Sequence, residues 1–136
     1  MSYDLTIKSD DRYSKSIDLA ELMSFIERLP HIVSNGERGF CYCEGERYYM
    51  EIDLEIVSEE GDTIEDEPDS PKDRVNCVEG HIPYAFMDEE QVYPNRHLEP
   101  LMRIAQHLRW RLYDPQEDEY IYEPETTESA ALVEYA

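Results

Sequence analysis

A chain of 136 residues that sets 33 Asp plus Glu against 12 Lys plus Arg carries a formal charge of −21, yet 40% of its residues are hydrophobic. That length fits a single domain with its own core, and eleven tyrosines argue against wholesale disorder. So strong a negative charge repels nucleic-acid phosphates and anionic membranes, excludes direct binding to either, and points to a basic protein partner.

Charged residues run throughout Met1 to Ala20, and no stretch approaches the roughly 18–20 apolar residues of a membrane span. Neither a secretory leader nor a span is expected. Cys41, Cys43 and Cys77 are three cysteines, an odd number, expected as reduced and partly buried thiols in the cytoplasm.

In chain order, Tyr3, Leu5 and Ile7 alternate with Asp4, Thr6 and Lys8, the period-two pattern of a half-buried strand. Asp18 then caps a helix, with Glu21 completing a capping box and Ile17 facing Leu22 as a hydrophobic staple. Leu19, Leu22, Met23, Ile26 and Leu29 form its apolar face, and Pro30 stops it. Residues 39 to 57 read as a hairpin around a two-residue turn, Gly45-Glu46. That turn places Cys41, Cys43, Tyr48, Met50, Ile52, Leu54 and Ile56 on a core face. Phe40, Tyr42, Tyr49, Glu51, Asp53 and Glu55 fall on the opposite, aromatic and acidic face.

From Ser58 to Asp73 the composition collapses into Glu, Asp, Gly, Pro and Ser, a solvated acidic loop. A strand follows around Val75 to Phe86, with Val78, Ile82, Tyr84 and Phe86 on one face and Pro83 marking an edge or a bulge. A second helix spans about Leu98 to Leu112, with Pro100 in its first turn and Leu101, Ile104, Ala105, Leu108 and Leu112 as its stripe. Asp114-Pro115 ends it, and Glu119 to Tyr122 reads as a last short strand. The expected fold is therefore α+β: one domain over 1–122 with the acidic loop at 58–73, followed by a C-terminal tail at 123–136. Its sheet, antiparallel or mixed, has 4–5 strands with two helices packed on one face.

Function has to be read from constellations. Glu51, Asp53 and Glu55 point the same way, about 7 Å apart along one strand. With Phe40, Tyr42 and Tyr49 they form a rigid anionic strip beside exposed aromatics, the composition of a hot spot for a cationic partner. Asp62, Glu65 and Asp66 extend it through a mobile acidic arm that speeds capture of a basic surface. The loop is no EF-hand, because Ile64 occupies the third ligand position counted from Asp62. Cys41, Cys43 and Cys77 with a histidine are the only conceivable ligand set for a metal, and free thiols are the expectation. Arg103, His107 and Arg111, at i, i+4 and i+8, share one exposed helix face; Arg placed towards the helix C-terminus and paired with nearby acids is the first reading, and an interface with a second copy of this acidic chain is the alternative. Glu79, His81 and Tyr84 beside Pro83 read as a strand end. No GxSxG, GxxxxGK[ST] or GxGxxG motif occurs, so catalysis and cofactors are not expected.

Two segments, Tyr3-Asp4-Leu5-Thr6-Ile7 and Leu108 to Gln116 (LRWRLYDPQ), resemble segments of small bacterial proteins, including immunity proteins of polymorphic toxin systems. That resemblance implies a cytoplasmic protein that neutralises one toxin domain by stoichiometric binding. The charge leads to the same place, since many such toxins are basic nucleases. An immunity-like inhibitor is the first expectation. The alternatives are a DNA mimic that blocks a nucleic-acid-binding protein, and a small enzyme or metal-binding protein.

Overall fold

A computed structural model describes residues 2–45, 48–84 and 95–124. The expected strand at the N-terminus is β1 (Ser2–Lys8). It lies inside the sheet, paired on one side with β7 (Cys77–Pro83) and on the other with β8 (Arg111–Asp114). Position explains burial: Tyr3, Leu5 and Ile7 enter the core, and Thr6 and Lys8 on the opposite face are also largely covered.

The other strands are β2 (Ile17–Asp18), β3 (Ile32–Ser34), β4 (Gly39–Glu44), β5 (Tyr48–Glu55), β6 (Arg74–Val75) and β9 (Glu119–Tyr122). Of the nine described strands, seven form one sheet in the order β3-β4-β5-β7-β1-β8-β9, every pairing antiparallel, while β2 and β6 make a separate two-stranded ribbon. The sheet thus exceeds the 4–5 strands expected, because β3 and β8 carry no alternation long enough to read. It is nevertheless an α+β fold with two helices, α1 (Leu19–Glu27) and α2 (Asn95–Leu108).

Helix α1 forms as its sequence dictates: the Asp18 carboxylate accepts from the Glu21 amide at 3.0 Å, and Leu22 and Ile26 are fully buried. Helix α2 departs from expectation at both ends. It starts at Asn95, which leaves Pro100 inside it, and it stops at Leu108. There Arg109 adopts φ 59°, with Trp110 N–H donating to Ala105 O and Arg109 N–H to Gln106 O. This is a Schellman ending with arginine in the left-handed position usually given to glycine. The chain reverses, so Leu112 reaches the same core from β8 and Trp110 from the link before it, rather than from a helical stripe.

Both helices contribute to the core on the face carrying Tyr3, Leu5, Ile7, Ile52, Leu54, Val78 and Ile82. Close approach of α2 needs Gly80: a Cβ there would lie 2.9 Å from Leu101 Cδ1 and 3.1 Å from Met50 Sδ. Phe25 of α1 stacks on His107 of α2 with centroids 3.9 Å apart, closing the helical layer.

The β4–β5 hairpin differs in register. Glu44 pairs with Tyr48, Tyr42 with Met50, and Phe40 with Ile52, so three residues rather than two separate the strands. A one-residue slip turns a strand over. Phe40 and Tyr42 are therefore core residues, 0% and 3% exposed, while Cys41 and Cys43 lie on the opposite face. Of the three thiols only Cys77 is buried. β7 is likewise no edge strand: it lies between β5 and β1, and Pro83 is its final residue, opposite Ser2. Tyr84 beyond it is exposed, and Phe86 lies outside the described residues, as does the tail after Pro124.

The acidic segment 58–73 is tied to the rest of the domain at several points. Arg38 donates to Leu54 O, Lys72 O and Arg74 O at 2.9, 2.8 and 2.6 Å, and its Nε lies 3.3 Å from the Glu65 carboxylate. The Lys72 ammonium donates to Glu65 O and Glu67 O. Asn76 clamps the base of the loop, accepting from Val57 N–H and donating to Val57 O.

Candidate functional site

Three central strands present their polar alternates on the face away from the helices. The pairings align them in three rows: Glu51, His81 and Asp4; Asp53, Glu79 and Thr6; Glu55, Cys77 and Lys8. At about 4.8 Å between strands and 7 Å between same-face residues, the grid spans roughly 10 by 13 Å. It holds five carboxylates, an imidazole, a thiol, a hydroxyl and, at one corner, an ammonium.

The sheet fixes these groups, and their contacts fix them further. His81 Nδ1 lies 2.8 Å from Asp4 Oδ1, and its Nε2 lies 3.3 Å from Asp53 Oδ2. Thr6 donates its hydroxyl to Glu79 at 3.0 and 3.1 Å, and the Cys77 thiol donates to Glu79 at 3.4 Å. Tyr49 OH donates to Glu51 at 3.1 Å and lies 3.6 Å from Cys41 Sγ.

Crowding of like charges on a half-covered surface shifts the titrations. A donor atom of each of Glu55, Cys77 and Glu79 lies within 4.8 Å of the other two. Two carboxylates about 5 Å apart repel by roughly 3 kcal/mol at an effective dielectric near 20. Burial, and then the charges of Glu79, Asp53 and Glu65, push the Glu55 carboxyl up to about 7. Burial also raises Glu79, against hydrogen bonds from Thr6 and Cys77 and the nearby His81. At His81 burial disfavours the charged ring, but the Asp4 hydrogen bond and the charges of Asp4, Asp53 and Glu79 outweigh it, and the net shift is upward. Cys77 is raised by burial and then by Glu79 and Glu55, so it stays a thiol.

Among the described residues, Glu55, Cys77 and Glu79 are the group whose donors approach closely enough for a metal ion. An ion there would have to displace the thiol proton and sit beside Lys8, which faces Cys77 across the ladder. The set considered from sequence does not assemble: β5 separates β4 from β7, and Cys41 and Cys77 flank it on opposite sides, level with Glu51 and with Glu55.

The structure keeps Glu51, Asp53, Glu55 and Tyr49 on this face and removes Phe40 and Tyr42 from it. Asp62 and Asp66 are exposed on the anchored loop, while Glu65 is half-buried against Arg38. A cleft of about 250 Å³ lined by Arg38, Asp53, Glu55 and Glu65 joins loop and grid. Sequence reasoning left Asp4 out of the site and treated Glu79 and His81 as a strand end. The alternation in β1 and β7 placed them on one face, but only strand order sets β7 beside β5 and β1 next beyond it.

The basic helix face does not exist as expected. Arg103 pairs with Glu99 at 3.2 Å, His107 stacks on Phe25, and Arg111 lies on β8, over the Tyr120 ring and 3.8 Å from Glu123. A cavity of about 210 Å³ on the helical side is lined by Leu29, Tyr42, Glu99 and Arg103, where the Arg103 charge is already paired.

No protein-family model, curated protein or solved structure matches the chain. These comparisons therefore lend no support to a resemblance to immunity proteins. No helix among the described residues is long and apolar enough to cross a membrane.

Proposed function

We propose that this chain is a stoichiometric binding protein whose carboxylate grid receives a basic protein domain. One observation carries the reading. Five acids from three adjacent central strands point outward on a backbone whose opposite face is the core, with a single ammonium among them. Holding like charges this close costs stability, and a guanidinium or ammonium from a partner relieves that cost through charge-assisted hydrogen bonds. Glu51 and Asp53 are the leading contacts, Tyr49 adds an aromatic edge, and Asp62 and Asp66 form an anchored rim.

An immunity-like inhibitor of a basic toxin, a nuclease being one candidate, is the specific form of this reading that the segment resemblance suggests. A DNA mimic would need a second track of acids beside Glu51, Asp53 and Glu55, and the adjacent β7 places Cys77 and His81 on either side of Glu79. Binding is favoured over catalysis because the grid's thiol, Cys77, is 1% exposed and pushed towards its protonated form, and its hydroxyl, Thr6, is 7% exposed.

The test is affinity recovery from the native host at low and moderate salt, with the unmodified chain and a Glu51→Lys/Asp53→Lys variant. The unmodified chain is expected to recover one basic domain in a one-to-one complex that weakens steeply with salt. The variant is expected to lose it while keeping its circular-dichroism spectrum. A partner retained by the folded variant removes the grid as the site.

A further inference from the structure

Two features of the grid place protons where a cationic partner has to land. The first is the Glu55–Cys77–Glu79 group, whose donor atoms lie within 4.8 Å of one another. Neither nearby cation neutralises it: Lys8 is turned to Asp11, 3.4 Å away, and to the Tyr113 ring, and Arg38 is turned to three backbone carbonyls and Glu65. Asp53 lies across the ladder from Glu79 and on the same strand face as Glu55, adding a further negative charge. The second is His81, with a carboxylate oxygen against each ring nitrogen. A neutral imidazole has one N–H and can satisfy one of these carboxylates, whereas an imidazolium satisfies both.

We infer that the grid is proton-loaded in the free protein and that docking of a cationic side chain expels those protons, so that binding tightens as the pH rises from about 6 to about 8. This rests on reading the grid as the surface for a basic partner. A guanidinium near Glu55 and Glu79 replaces the shared proton as the neutralising charge. The same guanidinium repels the proton of His81 and takes over Asp53. Among the described residues, the groups facing these sites are Asp4, Thr6 and Lys8 from β1, Glu51 and Asp53 from β5, Cys77 from β7, and Glu65 and Tyr13 from the flanking loops. The Glu55 carboxyl, pushed up to about 7, and the upward shift of His81 from 6.5 put the exchange in the neutral range, and Glu79 shifts in the same direction.

The experiment titrates the full chain with a nine-arginine peptide at constant ionic strength, by calorimetry at pH 6, 7 and 8, at each pH in two non-phosphate buffers that differ in their heat of ionisation. Affinity is expected to rise with pH, by up to about tenfold per pH unit for each proton released, and the buffer dependence of the heat should count those protons. Glu55→Gln/Glu79→Gln is expected to flatten the pH dependence. On the unmodified chain, the His81 ring-proton shift should titrate above its ordinary 6.5 when free and at lower pH once the peptide is bound. Equal affinity at pH 6 and 8, with no proton exchange and an unmoved His81 titration, overturns the linkage and leaves the basic-partner reading standing. Peptide binding unchanged in Glu51→Lys/Asp53→Lys overturns both.

Discussion

Single residues here behave according to what covers them. His97, in the first turn of α2, is 2% exposed between Tyr42 and Tyr48, with the Tyr49 backbone as its polar neighbour. Burial lowers its pKa, so the unfolded chain takes up a proton near 6.5 that the folded chain refuses. Its contribution is fully present above that pH and is lost as the pH falls below it. His97→Phe is expected to remove part of the acid destabilisation between about pH 6.5 and 5, read as a smaller drop in the urea midpoint. Glu55 has the opposite sign: its raised pKa means the folded state binds the proton more tightly, so it costs nothing below about 4.5 and destabilises as the pH climbs to 7. Glu55→Gln is expected to raise stability by about 1 kcal/mol at pH 8, after discounting for solvent screening, and to leave it unchanged at pH 4. Equal midpoints at pH 8 would rule out the strain assigned to that carboxylate.

At the scale of elements, α2 and the hairpin show how small local features redirect whole segments. Gly80 admits Leu101 to the sheet, and Gly80→Ala is expected to cost about 1–3 kcal/mol by overpacking against Leu101 and Met50, with no change in the exposed face. Denaturant unfolding checks the cost. Apolar spacing from Leu101 to Leu112 matches a helix, yet Arg109 takes a left-handed conformation and Leu112 reaches the core as a strand residue. A linear pattern does not distinguish these, since both bury the same side chain. In the hairpin, the alternation in β5 was legible because Met50, Ile52 and Leu54 are uniformly apolar. The strand preceding the turn was ambiguous because both of its faces, Phe40 and Tyr42 or Cys41 and Cys43, are plausible core. Loop length decided between them.

For the whole molecule, the −21 charge is a standing repulsion that the fold tolerates by spreading acids over loops and one sheet face. Screening should relieve it: raising NaCl from about 20 mM to about 300 mM is expected to raise the thermal midpoint, and a fall would mean that attractive pairs dominate. Same-sign charge at this density also steers a basic partner before contact, so complex formation should slow with salt more than dissociation quickens.

Composition and local pattern by themselves determined the acidic character, the capped first helix with its Asp18 signal, the last strand at Glu119–Tyr122, and the outward set Glu51, Asp53 and Glu55. Each rests on interactions within a few residues, or on charge that needs no partner. Tertiary structure alone decided the seven-strand order, the burial of Phe40 and Tyr42, the anchoring of the acidic loop by Arg38, and the meeting of Asp4, Glu79 and His81 with the β5 acids. Those depend on which strands lie side by side, a choice made by long-range pairing and shared burial, and no stretch of sequence carries it alone.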